Sequence, residues 1–476
     1  MDAPERLSPK ALAALYASAT LASLAVGPDG PRYWDSFGYV IQALTGRVGG
    51  LMLGRPTFVL LSHGVMRVWR AAGGCVDAAE FILRSSWMSV SASGAVAMAL
   101  VARGVGLSPR AAFGAGLMLA FSPTVAHSSR AVLTDAPSMA VTLWAFALGL
   151  RAVRSGSVLA MLLAGASLGV AAGMREQALL HVVSLVALAA CAPSRRTAHA
   201  FAALVGSTIA FGAPVLWLAT TRHGYLGSVA GWIGAMRAER SQHPYGARDF
   251  GMFVVWAFAS SPVAWVLLAR VARRGLASWR NDSLRSALVV PSLLQFAALA
   301  FYQDIAFSPR YLLAAVPCAV VLPAAAAFET EGTPHTRGLW AVALAVLLVA
   351  PVPTAAFLVS AREKPLRDGL AALPGQLSAL PPRSAVVTGQ LCPAVVYHRE
   401  LARLRGEVLD VVQVCPGWRW PGDLGARLDA LRSDGRTVVV DLRATSWLGE
   451  RQRLCMREAA RYVADRSSAA GVTVWR

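Results

Sequence analysis

The stretch His199-Ala-Phe-Ala-Ala-Leu-Val-Gly-Ser-Thr-Ile-Ala-Phe-Gly-Ala-Pro-Val-Leu-Trp-Leu-Ala219 decides the fold of this chain. It contains no Asp, Glu, Lys or Arg. A helix that rises about 1.5 Å per residue needs about 20 apolar residues to cross the hydrocarbon core of a bilayer. This stretch is long enough to do so, and similar blocks recur along the sequence. The sequence therefore predicts an all-α polytopic membrane protein over most of its length.

We predict eleven spanning helices from these blocks. They cover residues 11–26, 81–102, 110–126, 137–153, 158–173, 177–192, 199–219, 251–270, 286–303, 309–327 and 339–359. The first block could be a cleaved signal or a first span, and in either case residue 27 emerges on the far side. Residues 36–48 and 56–70 are amphipathic but too short and too polar to cross, which predicts helices along the membrane surface.

The composition supports this class and excludes others. Hydrophobic residues make up 56% of the chain and charged residues only 15%, whereas soluble proteins carry about a quarter charged residues. The net charge of +19 could suggest nucleic acid as a partner. The basic residues lie between the apolar blocks and do not gather on one soluble face, so membrane lipids, and no nucleic acid, are the expected partners.

The basic residues also predict the orientation, because cytoplasmic loops are enriched in Lys and Arg. With alternate loops inside, the cytoplasmic set is Arg6, Lys10, Arg103, Arg110, Arg151, Arg154, Arg195, Arg196, Arg270, Arg273, Arg274, Arg280, Arg285 and Arg337. The short outer loops hold only Arg130, Arg175 and Arg310. We expect a multi-pass protein of the cell (inner) membrane with a cytoplasmic N-terminus and with loops 27–80, 127–136, 174–176, 220–250 and 304–308 outside.

From about residue 360 the composition becomes that of a soluble protein. Strand-like runs at 384–388, 437–441 and 471–475 alternate with helix-like stretches near 422–433 and 449–465. The predicted organisation is a transmembrane domain over 1–360 and a small extracytoplasmic α/β domain over 361–476. Outside the cytoplasm Cys392 and Cys415 could form a disulfide, and the sequence leaves this open.

Three polar stretches stand out at the outer ends of the apolar blocks. The first loop contains Tyr33-Trp-Asp-Ser-Phe-Gly-Tyr39, then Gly54-Arg-Pro-Thr-Phe58 and Ser62-His63. The second loop reads Ala126-His-Ser-Ser-Arg-Ala-Val-Leu-Thr-Asp-Ala-Pro137, and a third stretch reads Ser308-Pro-Arg-Tyr-Leu-Leu-Ala-Ala-Val-Pro317. In this order they resemble the polyprenyl-phosphate-sugar transferases of the GT-C superfamily. The resemblance is greatest to the group with protein O-mannosyltransferases and the lipid A aminoarabinose transferase.

The resemblance implies a glycosyltransferase that moves a hexose or pentose from a polyprenyl-phosphate donor to a hydroxyl of a glycan, lipid or protein outside the cytoplasm, with inversion. A carboxylate that takes the acceptor proton would assist attack on the anomeric carbon, and Asp35 is the candidate base. Asp135 could orient the acceptor, hold a divalent cation as cofactor, or simply cap the helix that begins there.

Arginines suit the departing lipid phosphate, because guanidinium groups donate paired hydrogen bonds. The candidates are Arg310, Arg175 and Arg55, which all lie at the predicted outer boundary. His63, His127 and Tyr311 are further candidates, and either histidine could instead be an interfacial residue. The turn Arg55-Pro56-Thr57 departs from the Lys-Pro-Pro run that is typical of the family, which bears on the donor assignment.

Two other function classes remain open from the sequence. A secondary transporter or lipid flippase would place ionisable residues near the bilayer midplane, whereas here they cluster in the outer loops. A non-catalytic assembly subunit of GT-C shape would not need Asp35. The outer loop 220–250, which contains Arg222 and Tyr225, could close over the site and recognise the acceptor, or be a passive connection.

Overall fold

The computed structural model describes most of the chain. The described residues are 7–25, 34–49, 53–240, 245–269, 282–301, 309–330, 364–388, 391–407, 409–414, 424–441, 450–465 and 472–475. The chain divides into two compact units. The helical unit comprises Met1–Asp29, Gly46–Ser62 and Ile82–Ala356, and the α/β unit comprises Gly30–Thr45, His63–Phe81 and Phe357–Arg476.

The described residues up to 330 are helical wherever they form regular structure. The helices are α1 Pro9–Ala25, α2 Trp34–Thr45, α3 Pro56–Ala71, α4 Ala79–Gly104, α5 Pro109–Ala120, α6 Pro123–Ser129, α7 Asp135–Ser155, α8 Val158–Met174, α9 Val182–Ala190, α10 Arg196–Thr221, α11 Tyr225–Arg240, α12 Ala247–Ser260, α13 Pro262–Ala269, α14 Ser283–Leu299 and α15 Leu322–Thr330. Short 3-10 segments lie at Val76–Ala78, Glu176–His181 and Pro309–Ala314, and a π-helical turn at Pro317–Val321 leads into α15.

The predicted apolar blocks coincide with helical segments, except the block 339–359, which lies outside the described residues. Within the described part, three helices are long and apolar enough to cross a membrane: Val76–Gly104, Asp135–Ser155 and Arg196–Thr221. The pair α12 and α13, bent by 94°, would be a fourth if it forms one broken span. The remaining apolar helices are shorter, so the count of eleven spans stays a prediction.

Small residues bring the helices around α8 into close contact. A Cβ atom on Gly165 would lie 2.3 Å from the carbonyl oxygen of Ala203, and one on Gly206 would lie 2.3 Å from that of Leu162. The backbones of α8 and α10 therefore touch, as small residues allow in membrane helix pairs. α7 and α8 also pack together, and they are joined by a turn with Gly156 in the left-handed region, at φ 66°. The N-terminus of α7 and the C-terminus of α8 thus lie at the same end of this antiparallel pair.

The C-terminal part contains a four-stranded, fully parallel sheet in the order β2-β1-β3-β4. The strands are β1 Ser384–Thr388, β2 Val411–Val414, β3 Thr437–Asp441 and β4 Val472–Trp475, and the helices are α16 Lys364–Ser378, α17 Cys392–Arg405, α18 Leu424–Ser433 and α19 Glu450–Asp465. β1, β3, β4, α18 and α19 lie where the sequence predicts them, whereas β2 and α17 were not predicted. The side chain of Cys392 and residue 415 lie outside the described part, so the disulfide stays a prediction.

The two faces of this sheet carry different helices. Val387, Val438 and Val440 form one apolar cluster with side chains of α18 and α19. β1 pairs with β3 so that Ala385 faces Val438 and Val387 faces Val440. Alternate residues of a strand point to opposite faces. The intervening residues therefore point to the other face, where right-handed crossovers place α17.

Candidate functional site

One buried carboxylate lies between two buried arginines in the helical unit. Asp135 Oδ1 is 3.2 Å from Arg175 Nε, and Asp135 Oδ2 is 3.9 Å from Arg310 Nε. The side chains are only 2%, 3% and 10% exposed, respectively. The sequence predicted all three as site residues from separate loops, and the structure brings them together.

The helix ends position these three side chains. Asp135 is the first residue of α7, and the N-cap position before it belongs to Thr134, whose side chain makes no capping hydrogen bond. Arg175 follows the last residue of α8 with an extended backbone, φ −149° and ψ 116°. Because α7 and α8 run antiparallel, the two residues meet at one end of the pair. Arg310 lies in the 3-10 turn Pro309–Ala314, which packs against α6, α7 and α12.

The ring of Tyr311 contacts both arginines. The guanidinium carbon of Arg175 lies 4.9 Å from the ring centroid, and that of Arg310 lies 5.5 Å from it. Cations at this distance are attracted to the electron-rich face of an aromatic ring. Tyr311, which the sequence indicated only as a further candidate, therefore holds the two guanidinium groups beside the carboxylate of Asp135.

His181 connects the two short turns that carry the arginines. Its Nε2 atom is 2.8 Å from the carbonyl oxygen of Ala314, the last residue of the turn with Arg310. The imidazole is buried and makes an edge contact with the ring of Phe146, at a centroid distance of 5.3 Å. His181 lies at the end of the turn that follows Arg175. This bond helps to fix the spacing of the two turns.

Arg55 lies on the other side of the same helix end. Its Nε atom is 3.6 Å from Glu176 Oε2, and the two side chains are 12% and 48% exposed. Thr57 packs tightly on the end of α8, because a Cβ atom on Gly173 would lie 2.0 Å from its Oγ1 atom. The turn Arg55-Pro56-Thr57 therefore lies against the C-terminal end of α8, which Arg175 follows directly. Glu176 was missed from the sequence, although it is the only acid in the predicted loop 174–176.

The loop after α10 holds the segment that leads to Arg55. The guanidinium group of Arg222 donates hydrogen bonds to the carbonyl oxygens of Gly46 and Val48, the latter at 3.3 Å. The hydroxyl of Tyr225 donates to the carbonyl oxygen of Leu53 at 2.9 Å. Burial raises the pKa of Tyr225, against a smaller opposing effect of Arg222, so the hydroxyl stays a donor. These two residues of the outer loop 220–250 brace the first outer loop.

The remaining predicted site residues are His127, His63 and Asp35. His127 is buried in α6, which packs against the turn that carries Arg310. His63 belongs to the α/β unit, where its Nδ1 atom is 2.7 Å from the carbonyl oxygen of Ala43. Asp35 is the second residue of α2, also in the α/β unit. The side chain of Asp35 lies outside the described residues, so its role as a base stays a prediction.

The described residues do not suggest a metal centre. Among them, no group of three or more His, Cys, Asp or Glu side chains lies close enough to hold an ion. Asp135 faces two guanidinium groups, and their positive charge disfavours a divalent cation at this carboxylate. The hypothesis that Asp135 holds a cation therefore gains no support.

The charges of the cluster favour an anionic ligand. Two buried guanidinium groups lie beside one described carboxylate, so positive charge is concentrated in a region that is shielded from water. Within the described part of the chain, Nη1 of Arg175 is buried and has no hydrogen-bond acceptor. A buried donor without a partner is costly. A phosphate oxygen would satisfy this donor and offset the charge.

Residues 85–218 match the family profile described as dolichyl-phosphate-mannose-protein mannosyltransferase. The matched segment extends from α4 to α10 and includes Asp135 and Arg175. Arg55 and Arg310 lie outside it. No curated protein matches the chain in sequence.

The structure of an archaeal enzyme aligns with most of this chain. The oligosaccharyltransferase of Archaeoglobus fulgidus, tethered with an acceptor peptide containing the NVT sequon, aligns over 86% of this chain and 64% of its own, with a TM-score of 0.52 and 10% identity. The same organism's oligosaccharyltransferase AglB, in complex with an inhibitory peptide and a dolichol-phosphate, aligns over 81% and 63%, with a TM-score of 0.48 and 10% identity.

The present chain spans just under two thirds of the length of these proteins. The match to the mannosyltransferase family profile over residues 85–218 confirms the resemblance to that family which the sequence indicated. The chain thus shares the fold of the archaeal oligosaccharyltransferase and, over residues 85–218, resembles the dolichyl-phosphate-mannose-protein mannosyltransferase family.

Proposed function

We propose that the chain is a membrane glycosyltransferase that transfers a sugar from a polyprenyl-phosphate donor to a hydroxyl acceptor on the extracytoplasmic side. The observation that carries this proposal is the buried cluster of Asp135, Arg175, Arg310 and Tyr311. The family match over α4 to α10 supports the same class of reaction.

The cluster suits the charge that develops in such a transfer. A sugar phosphate linked to a lipid is a phosphodiester with one negative charge. The departing lipid phosphate is a monoester and carries up to two, since its second pKa is about 6. Arg175 and Arg310 would bind the phosphate oxygens and stabilise the added charge, and their low exposure strengthens that interaction. Asp135 and Tyr311 would hold the two guanidinium groups in place.

Asp35 would be the base of the reaction. The acceptor oxygen attacks the anomeric carbon while its proton passes to the Asp35 carboxylate. The bond between the anomeric carbon and the phosphate oxygen breaks, and its electron pair leaves with the polyprenyl phosphate. A single displacement of this kind inverts the anomeric configuration, as the GT-C resemblance implies. One base and one stabilised leaving group account for every atom and charge.

The acceptor is proposed only by class. Its hydroxyl would belong to a glycan, a lipid or a protein. The segment after α10 braces the first outer loop through Arg222 and Tyr225. This segment leads into the helix α11, whose first residue is Tyr225. The segment is a candidate for acceptor recognition.

The test compares lipid-linked and surface glycans by mass spectrometry in deletion cells rescued at matched expression. The rescuing variants are wild type, Asp35→Asn, Arg310→Gln and Arg154→Gln. Arg154 is the matched control, because it lies at the opposite end of α7 from Asp135 and donates only to the backbone of Arg103 among the contacts described. Arg154→Gln should restore transfer, whereas Asp35→Asn and Arg310→Gln should not, and the lipid-linked donor should accumulate.

Full rescue by Asp35→Asn would contradict the assigned base and favour a transporter, a flippase or an assembly subunit. Rescue by Arg310→Gln would contradict the assigned phosphate site. If Arg154→Gln also fails to restore sugar transfer, loss of any arginine damages the protein. The assignment of Arg310 to the phosphate site would then lose its support.

A further inference from the structure

Two parts of the first outer loop, Gly30–Thr45 and His63–Phe81, belong to the same compact unit as the C-terminal sheet, although more than 300 residues separate them from it in sequence. Within this unit α2 packs against α17, the helix that connects β1 to β2. No described side chain of α17 from Ala394 to Ala402 is exposed. A helix that covers a sheet in water normally leaves one face exposed. α17 instead packs against the sheet on one side and contacts α2 on another.

The contact is made in the first turn of α2. The rings of Phe37 and Tyr397 lie 5.4 Å apart, centroid to centroid, at an interplanar angle of 53°. Both are buried, at 5% and 8% exposure. Phe37 follows Asp35 by two residues, so the two backbone positions are about 3 Å apart along the helix axis. Tyr397 therefore contacts the same helical turn that carries the proposed base.

A second contact lies at the C-terminal end of α17. Arg405 donates from Nε to Asp77 Oδ1 at 2.8 Å, and its Nη2 atom donates to the same oxygen. Asp77 belongs to the 3-10 turn that precedes α4. Arg405 lies eight residues after Tyr397, about 12 Å further along the helix. Tyr397 thus contacts α2 and Arg405 contacts the turn before α4, so α17 is held by both of these segments.

We propose that α17 of the C-terminal α/β unit positions the first-loop helix α2, with Tyr397 and Arg405 as its positioning residues, and thereby sets the place of Asp35. This inference rests on the proposed function of Asp35. The C-terminal unit would then be a required part of the transferase and not an accessory module.

Hydrogen exchange tests this role without any substrate. The full-length protein is reconstituted in lipid nanodiscs, and exchange of the amides of residues 36–45 is followed by mass spectrometry. In Tyr397→Ala these amides should exchange about tenfold faster than in wild type, because the restraint on local opening is lost. Tyr397→Phe keeps the ring and should behave as wild type.

Tyr462→Ala is the matched control. Tyr462 is a buried tyrosine of the same α/β unit, but it lies on α19 and belongs to the apolar cluster on the opposite face of the sheet. It should leave exchange of residues 36–45 unchanged even if it lowers the melting temperature as much as Tyr397→Ala does. Arg405→Asp should also speed exchange in α2, and the charge swap Asp77→Arg/Arg405→Asp should restore it.

Unchanged exchange in Tyr397→Ala, or equal acceleration in Tyr462→Ala, would overturn the proposal. Sugar transfer in rescued cells is the second readout. Tyr397→Ala should lower turnover with little change in the apparent KM for the donor, and wild-type turnover together with altered exchange would refute the positioning role. If Asp35→Asn transfers sugar normally, the proposed function fails, while the exchange comparison still reports whether α17 orders α2.

Discussion

Replacing Asp135 by Asn should destabilise the protein and leave it able to bind an anion. The substitution keeps the size of the side chain and removes a negative charge that lies within ion-pair distance of both Arg175 and Arg310. At an effective dielectric constant of about 20, the separations of 3.2 and 3.9 Å correspond to roughly 5 and 4 kcal/mol of gross attraction. Breaking a buried pair typically costs about 3–5 kcal/mol net, and we expect a loss in that range.

The matched control is Asp282→Asn. Asp282 pairs with Arg285 at 3.0 Å, but the two side chains are 29% and 18% exposed, and such a pair contributes about 0–1 kcal/mol. Asn retains the ability of Asp282 to cap α14, so the capping hydrogen bonds to Leu284 and Arg285 should persist. The unfolding free energies of wild type, Asp135→Asn and Asp282→Asn would be compared by SDS titration in the same detergent.

When a polyprenyl phosphate is added before unfolding, the difference in unfolding free energy between Asp135→Asn and wild type should become smaller. Without the Asp135 carboxylate the positive charge of Arg175 and Arg310 is offset less, and the lipid phosphate would supply a negative charge beside them. Sugar transfer should nevertheless be slower, because the arginines are no longer held in place. If Asp135→Asn is as stable as Asp282→Asn, or if the lipid phosphate stabilises wild type more than the variant, the charge argument is wrong.

Three further outcomes are expected. Tyr311→Ala should weaken protection of the protein by polyprenyl phosphate against unfolding, with a loss of about 0.5–2 kcal/mol, whereas Tyr311→Phe, which keeps the ring, should not. Tyr225→Phe should cost about 1 kcal/mol, because it removes one buried hydrogen bond to Leu53. Burial, and secondarily the charge of Arg405, lower the pKa of His398. The unfolded chain therefore takes up this proton first, and stability should fall as the pH drops below about 6.5. His398→Gln should reduce this pH dependence of the melting temperature, whereas the same change at the exposed His223 should not.

Position along the chain predicts that three charged residues lie at the same boundary of the membrane. Asp135, Arg175 and Arg310 each interrupt a run of apolar residues at a predicted outer boundary, where a charge is costly unless it is paired or functional. Their common location at this boundary follows from the predicted order of the spanning helices. The pairing of one carboxylate with two arginines does not follow, because it depends on how α7, α8 and the turn Pro309–Ala314 pack.

The errors of the sequence reasoning also have physical causes. α17 was missed because it is covered on two sides, so its pattern lacks a clear polar face. The grouping of the first loop with the C-terminal sheet depends on tertiary contacts such as that of Phe37 with Tyr397.

The close approach of α8 and α10 limits how this part of the sequence can change. At Gly165, Gly169 and Gly206 the nearest atom to an added Cβ would be a backbone oxygen of the partner helix, at 2.3–2.4 Å. Backbone cannot move aside as a flexible side chain can, so even alanine would force the helices apart. By contrast, Leu163 and Phe201 are 52% and 69% exposed on the same helices. In a library of random variants, the glycines should tolerate almost no substitution, while these two positions should accept any apolar residue.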